Sequence, residues 1–104
     1  MRWDTKLEKE VIKRYGGQPL KKYGYDGKIR GKPVEVRAAR RDNRFRIQKN
    51  VHRHLVANGG SYIFCANGKS KKVPAKEVSQ KIGRGKWFKD RKYPHKFLNK
   101  KQIF

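Results

Sequence analysis

Two acidic residues and one arginine fall within a short block of the chain that has a strand-like pattern. Asp26 precedes a glycine, and Glu35, Val36 and Arg37 follow a second glycine turn. The acids stand out because the chain has 8 acidic residues against 30 lysines and arginines. Carboxylate oxygens are the hard ligands that Mg²⁺ binds. The block is therefore typical of an acid pair that holds a divalent metal, and it favours a nuclease over a passive binding protein.

The net charge of +22 over 104 residues predicts a polyanionic partner, and nucleic acid is the default choice. The length allows one domain with a modest core. No segment has the apolar run of a spanning helix or a signal peptide, which argues against a membrane partner. The single cysteine, Cys65, lies in an apolar run and is expected to be a buried thiol. We therefore expect an intracellular, cytoplasmic protein from a prokaryotic, archaeal or viral setting.

The residues before the acid block predict a helix followed by extended chain. Leu7, Val11 and Tyr15 recur at helical spacing, and a pair of glycines follows them. This pattern predicts a helix over 5–15 that ends at the glycines. The next residues, over 20–25, have the composition of a strand.

Within the acid block, Gly27 predicts a turn and the residues 34–38 predict a strand. Side chains alternate between the two faces of a strand. Glu35 and Arg37 should therefore share one face, while the valines and the alanine between and around them occupy the other.

The second half of the chain contains two further helical patterns separated by an apolar run. We expect a second helix over 43–58, a core strand over 61–66 and a short third helix that ends at Gly83. The apolar residues that carry the two helical patterns are Ile47, Val51, Leu55, Val78 and Ile82.

This order of elements comes with short sequence anchors. The anchors are the segment 7–12, Asp26, Glu35-Val36-Arg37, Gln48, and the segments 59–63 and 73–78. In element order and anchors the chain resembles the PD-(D/E)xK nuclease superfamily, and within it the archaeal Holliday-junction resolvases. The resemblance implies an α/β fold with a restriction-endonuclease-like α-β-β-β-α-β core and a mixed sheet, followed by a short third helix and a basic C-terminal tail.

The chain divides on this basis into two parts. Residues 1–83 are expected to form the nuclease-like core domain, and residues 84–104 a basic, aromatic C-terminal extension packed on or flanking the core. In the extension, Trp87 and Phe88 are expected to pack on the core, because large apolar side chains are more often buried than exposed.

The resemblance implies a Mg²⁺ (or Mn²⁺) site and a catalytic group around it. Asp26 and Glu35 would supply two carboxylate ligands, and the carbonyl of Val36 a third. Glu8, on the first helix, would hold the ion or its water through an outer contact. Gln48 would orient the attacking water or a phosphate. These residues, together with Arg37, form the expected catalytic set.

Arg37 departs from the family pattern, which has a lysine at this position. A buried lysine can lose its proton and assist the nucleophile, whereas an arginine remains charged. Arg37 can still bind the scissile phosphate through two hydrogen bonds and stabilise the transition state. With arginine at this position, the sequence permits catalysis but does not imply it.

Basic residues crowd the exit of the motif strand and continue in the tail. They are expected to contact phosphates and so to recognise the backbone or shape of the substrate. DNA is favoured over RNA, branched or junction DNA is the substrate that the resemblance implies, and a homodimer would place two sites on two strands. The expected nucleic-acid-binding residues are Arg40, Arg41, Arg44, Arg46, Lys49, Lys86, Lys89 and Arg91.

Alternative interpretations of the same residues remain. Glu8 stands three residues after Thr5, which is capping-box spacing. Asp26 with Gly27 is a common hairpin-turn pair, and Glu35 with its neighbouring arginine fits a solvent-facing strand pair. The competing function is a non-catalytic DNA- or RNA-binding protein, either a degenerate nuclease fold or a small basic ribosome-associated protein.

Overall fold

The computed structural model describes residues 3–22, 25–39, 44–66, 68–88 and 94–104, and they form an α/β fold. Side chains are described from residue 8 onward, except those of 21, 22 and 25 within these ranges. In chain order the elements are α1 (Trp3–Arg14), β1 (Gln18–Lys22), β2 (Tyr25–Ile29), β3 (Lys32–Ala38), β4 (Arg44–Gln48), α2 (Lys49–Ala57), β5 (Ser61–Ala66), β6 (Lys69–Pro74), α3 (Ala75–Ile82), β7 (His95–Asn99) and a 3₁₀-helix (Lys100–Gln102).

Five of these strands form one mixed sheet in the order β1-β2-β3-β5-β6. β3 and β5 are parallel, as expected for strands joined through a helix, and the other pairs are antiparallel. β4 and β7 form a separate two-stranded antiparallel ribbon. The predicted α-β-β-β-α-β order with a mixed sheet is therefore confirmed, with the ribbon added to it.

Helix α1 covers one face of the sheet. Its residues Val11 and Ile12 are buried against Val34 and Val36 of β3, in a cluster completed by one residue of β2 and two residues of β5. Cys65 of β5 belongs to this cluster, and burial raises the pKa of its thiol. The predicted buried cysteine is thus confirmed.

The predicted turn at Gly27 is wrong, because Gly27 lies within β2 and pairs with Val34. A Cβ atom on Gly27 would lie 2.8 Å from the Cδ1 atom of Ile12, so the glycine lets α1 approach the sheet closely. The chain turns instead at Arg30 and Gly31, which have φ values of 53° and 78°. The second predicted turn is therefore the one that joins β2 to β3.

Helices α2 and α3 and the ribbon cover the opposite face of the sheet. They enclose the larger core, in which the aromatic rings of Phe45 and Phe64 lie 4.6 Å apart. The remaining fully buried members with large side chains are Ile47, Leu55, Tyr62, Val73, Val78 and Leu98. None of the helices in the described ranges is long and apolar enough to cross a membrane.

The predicted second helix is correct only in its second half. Arg44–Gln48 is the strand β4, and the helix begins at Lys49. Ile47 fits both patterns, since it lies four residues before Val51 and two residues after the buried Phe45. Hydrogen bonding to β7 decides between them, and β7 lies about fifty residues further along the chain.

The tail contributes β7 and the buried Leu98 and Ile103 to the larger core. Trp87 packs against this core, as predicted, but Phe88 is 63 % exposed, so its predicted packing is wrong. Phe88 forms a backbone bridge with His95, which places its ring on the outer side of the ribbon. The division of the chain between residues 83 and 84 stays a prediction.

Candidate active site

Adjacent strands position the two acids of the predicted motif. Antiparallel pairing of Gly27 with Val34 brings Asp26 of β2 opposite Glu35 of β3, where their carboxyl groups share a hydrogen bond. The backbone N–H of Val36 donates a 2.8 Å hydrogen bond to Oδ2 of Asp26. Asp26 is therefore held in a strand by two contacts, and the interpretation of Asp26-Gly27 as a hairpin turn is wrong.

Glu35 is buried in an environment that disfavours its charge. Burial is the main reason that its pKa lies well above the usual value, and the nearby carboxyl groups of Asp26 and Glu8 raise the pKa further. Arg37 acts in the opposite direction, because its Nη2 atom lies 3.1 Å from Oε2 of Glu35. Glu35 is thus an acidic group with one cationic partner and two acidic neighbours.

Glu8 reaches this group from helix α1. The helix starts at Trp3, so Thr5 lies inside it and cannot be the N-cap residue that the capping-box interpretation of Glu8 requires. Glu8 is half-exposed, and its effect on the pKa of Glu35 places its charge within electrostatic reach of that carboxyl. The structure thus brings Asp26, Glu35 and Arg37 together, with Glu8 within electrostatic reach, and the roles of these residues in a reaction stay predictions.

Arg37 has hydrogen-bonding capacity left beyond its ion pair. Its side chain is 26 % exposed, and its buried Nε atom has no hydrogen-bond partner among the described residues. A guanidinium offers several donors in one plane, which matches the geometry of a phosphate. Arg37 therefore pairs with Glu35 and keeps part of its side chain exposed to solvent.

A buried polar network that no sequence pattern indicated adjoins the acids. Tyr62 of β5 pairs with Glu35, and the pKa of its hydroxyl is raised by burial and, to a lesser degree, by Glu35. The hydroxyl lies 2.9 Å from Nδ1 of His52, whose Nε2 atom lies 2.7 Å from Oγ of Ser79. Burial and then the charge of Lys96 lower the pKa of His52. Two features of the sequence could have indicated this network. Tyr62 brings a hydroxyl into an apolar core strand, and His52 follows the apolar Val51 on the second helix.

Gln48 does not join the acids. It is the last residue of β4, where it pairs with His95. Within the described part of the chain no hydrogen bond connects its side chain with the carboxyl groups. Its predicted position on a helix is therefore wrong, since the strand β4 ends where α2 begins.

The predicted phosphate-binding residues fall into two groups. Arg44 and Arg46 lie on the outward side of β4, Lys49 begins α2, and Lys86 is exposed before the bridge to β7. Arg40, Arg41, Lys89 and Arg91 lie outside the described residues.

The donor chemistry of the acid group fits a hard divalent cation. The described residues contain no cluster of three or more His, Cys, Asp and Glu side chains arranged as a metal site. Mg²⁺, however, is usually held by one or two carboxylates and retains several waters. Asp26 and Glu35 meet this requirement, and a cation between them would offset the burial of the Glu35 charge and the smaller repulsion from Asp26, both of which raise the pKa of Glu35.

Comparison with known proteins shows the family to which the chain belongs. The family model described as a PD-(D/E)XK nuclease superfamily domain matches residues 2–100. No curated protein and no solved structure matches the chain significantly. The matched range contains the acid pair, the arginine that follows it and both faces of the sheet. The chain therefore belongs to the PD-(D/E)XK nuclease superfamily.

Proposed function

We propose that this protein is an endonuclease that hydrolyses DNA phosphodiester bonds with the help of Mg²⁺ or Mn²⁺. The observation that carries the proposal is the contact between Asp26 and Glu35 on adjacent strands, with Arg37 ion-paired to Glu35. Family membership supports nuclease activity in general. The metal, the preference for DNA and the assignment of the residues are our inferences from the site.

Asp26 and Glu35, with the carbonyl of Val36, would hold the metal ion. When bound, such an ion lowers the pKa of a water and neutralises charge that develops on the phosphate. The backbone contact from Val36 fixes the Asp26 carboxyl in orientation, so little reorganisation is needed on binding. Glu8 would orient a water at the edge of the site from α1.

Arg37 would bind the scissile phosphate and remain protonated throughout. An arginine keeps its proton at any physiological pH, so it donates hydrogen bonds to phosphate oxygens and does not accept a proton from the attacking water. Its ion pair with Glu35 holds the guanidinium beside the carboxyl groups. Arg37 thus takes over the electrostatic part of the role of the family's lysine, without the proton transfer.

The resemblance to archaeal junction resolvases leads us to propose branched DNA as the substrate and a homodimer as the active form. Strong basic charge favours contacts to the phosphate backbone, which read shape more than sequence. A two-fold dimer would present two sites to two strands of a junction. Light scattering during gel filtration, with and without a four-way junction, tests the dimer.

A second candidate function is binding without cleavage. It is favoured by Arg37 itself, because the guanidinium already pairs with Glu35 and no lysine stands in its place. A degenerate nuclease fold or a ribosome-associated basic protein would keep the charge and the fold and bind DNA or RNA without hydrolysis.

A cleavage assay on linear duplex, flap and four-way-junction DNA separates the two functions. With Mg²⁺ or Mn²⁺ present, we expect cleavage by the wild type and its loss in Asp26→Asn and Glu35→Gln, with binding retained. Glu10→Gln is the matched control, because Glu10 is an exposed acid of α1. A wild type that cuts none of these substrates would refute the nuclease. Higher activity in Arg37→Lys would show that the arginine limits the rate.

A further inference from the structure

The outward side of the β4–β7 ribbon combines arginines with aromatic rings. Phe45 and Ile47 point from β4 into the core, so alternation places Arg44 and Arg46 on the other side. Arg46 pairs with Phe97 of β7 across the ribbon. The guanidinium carbons of Arg44 and Arg46 lie 4.0 and 5.7 Å from the centre of the Phe97 ring. Two cationic groups are therefore held against one aromatic ring on this surface.

Ring contacts connect the half-buried Phe97 with the exposed Phe88 through His95, which is itself buried. The rings of Phe97 and His95 meet edge to face with centres 5.0 Å apart, and those of His95 and Phe88 lie 6.4 Å apart. Paired backbone hydrogen bonds of 2.9 Å between Phe88 and His95 fix the last ring to the ribbon. Phe88 is 63 % exposed, although an isolated phenylalanine gains free energy from burial. The exposed ring thus lies on the same outward side of the ribbon as Arg44 and Arg46, which contact Phe97.

Charge complementarity identifies the kind of molecule that would cover this surface. The whole chain carries a net charge of +22, which favours a polyanion. An exposed aromatic ring on the same side of a ribbon as two arginines is suited to a ligand that offers both phosphates and flat apolar faces, and nucleic acid does so. In a duplex the faces of the bases are covered by their neighbours. Only unpaired bases leave a face open for Phe88.

We propose that the outward side of the ribbon binds a single-stranded segment of the nucleic acid, with an unpaired base stacked on Phe88 and its phosphates contacted by Arg44 and Arg46. The proposal rests on the proposed function only in taking nucleic acid as the ligand, and it narrows the substrate to one with an unpaired segment. It requires no cleavage, so it is testable without metal.

Fluorescence anisotropy with a labelled oligothymidine of about 15 nucleotides tests the proposal, because OB folds that bind single strands by stacking cover about 4–16 nucleotides. EDTA excludes cleavage, and a duplex of the same length is the second ligand. We expect Phe88→Ala and Phe88→Leu to weaken binding to the single strand about tenfold or more, and binding to the duplex less than about twofold. Phe88→Trp should retain binding, because tryptophan supplies a larger ring on which a base can stack. Phe88→Leu should not, because leucine supplies apolar area without a ring.

Two controls separate stacking from folding and from charge. Leu20→Ala removes an exposed apolar side chain from β1, at the far edge of the sheet, and should bind both ligands as the wild type does. The slope of log affinity against log salt should be unchanged in Phe88→Ala, since no phosphate contact is lost. A strand with abasic sites should bind the wild type as weakly as the normal strand binds Phe88→Ala.

Equal single-strand binding by Phe88→Ala and Leu20→Ala would overturn the proposal, as would equal losses for single strand and duplex. The Phe88 substitutions should weaken single-strand binding by the same factors when they are made in the Asp26→Asn variant. A ring-dependent preference for the single strand, in a protein that cuts nothing, would refute the proposed nuclease and leave the ribbon site standing. Cleavage of DNA without any effect of Phe88 on binding would do the reverse.

Discussion

Replacing Asp26 by asparagine should stabilise the metal-free protein while abolishing cleavage. The asparagine oxygen can still accept the hydrogen bond from the N–H of Val36, and its amide N–H can donate to the carboxylate of Glu35. The ion pair between Glu35 and Arg37 is untouched. The substitution therefore removes one of two carboxylate charges and keeps the packing and hydrogen bonds around it.

The expected gain follows from the repulsion that it removes. Two unit charges about 4 Å apart interact by about 4 kcal/mol at an effective dielectric constant of about 20. Protonation of Glu35 and the charge of Arg37 already relieve part of this cost. We therefore expect the free energy of unfolding to rise by about 1–2 kcal/mol near neutral pH, the range typical of a single stabilising substitution. For a domain of this size each kcal/mol corresponds to about 4–8 °C in Tm.

The pH dependence supplies a sharper signature than the gain itself. The folded state raises the pKa of Glu35, first by burial, so it binds more protons than the unfolded state above the usual value of 4.5. Stability due to this group is fully present below that value and is lost as pH rises through the folded pKa. The advantage of Asp26→Asn should therefore be small at about pH 5 and larger at about pH 8.

Urea unfolding in EDTA at both pH values measures this difference, with Glu10→Gln as the matched control for loss of an exposed acid. Added Mg²⁺ should then stabilise the wild type, by about 2.7 kcal/mol at a free concentration of 100 times Kd, and should not stabilise Asp26→Asn in this way. A loss of stability in Asp26→Asn would refute the reasoning, because it would mean that the proton shared by the two carboxyl groups stabilises the fold more than their repulsion destabilises it.

Two further substitutions test packing around the site by urea unfolding. Gly27→Ala should lower the free energy of unfolding by about 1–3 kcal/mol, since its Cβ atom would lie 2.6 Å from a backbone oxygen of β1. Gly85→Ala is the control and should be neutral, because its Cβ atom would have no neighbour within 4 Å. Equal effects of the two substitutions would contradict the close packing around Gly27. Tyr62→Phe should cost about 1–3 kcal/mol by leaving the buried Nδ1 of His52 without its partner, and Tyr15→Phe, at a half-buried position, should cost less. A neutral Tyr62→Phe would show that the network does not stabilise the fold.

Local periodicity was sufficient to predict the elements that carry their own pattern. The first and third helices and the core strand of Ser61–Ala66 follow from apolar spacing and the glycines that end each run, and alternation placed Glu35 and Arg37 on one face. The strand β4 could not be predicted in this way. Ile47 satisfies both a helical and a strand pattern, and the partner that decides is distant in sequence.

The polar network beside the acids was missed for a related reason. His52 and Tyr62 are separated by ten residues and meet only because α2 packs over β5. Their spacing in the sequence carries no helical or strand signal for that contact. The exposure of Phe88 likewise depends on its bridge to His95, which belongs to a strand that no local pattern indicated.

The register between β2 and β3 connects the fold to the proposed chemistry. A shift by one residue would turn Glu35 toward the apolar cluster under α1 and bring a valine to the site, because alternate residues of a strand face opposite sides. Only a glycine fits between Ile12 and β1 at position 27, so a register that places a larger residue there is excluded by contact. The close packing of α1 on Gly27 thus fixes the neighbouring Asp26 opposite Glu35. Helix α1, which lies on the opposite face of the sheet from Glu35, therefore helps to position the acid pair. It does so through its contact with Gly27 and not through a contact with the carboxyl groups.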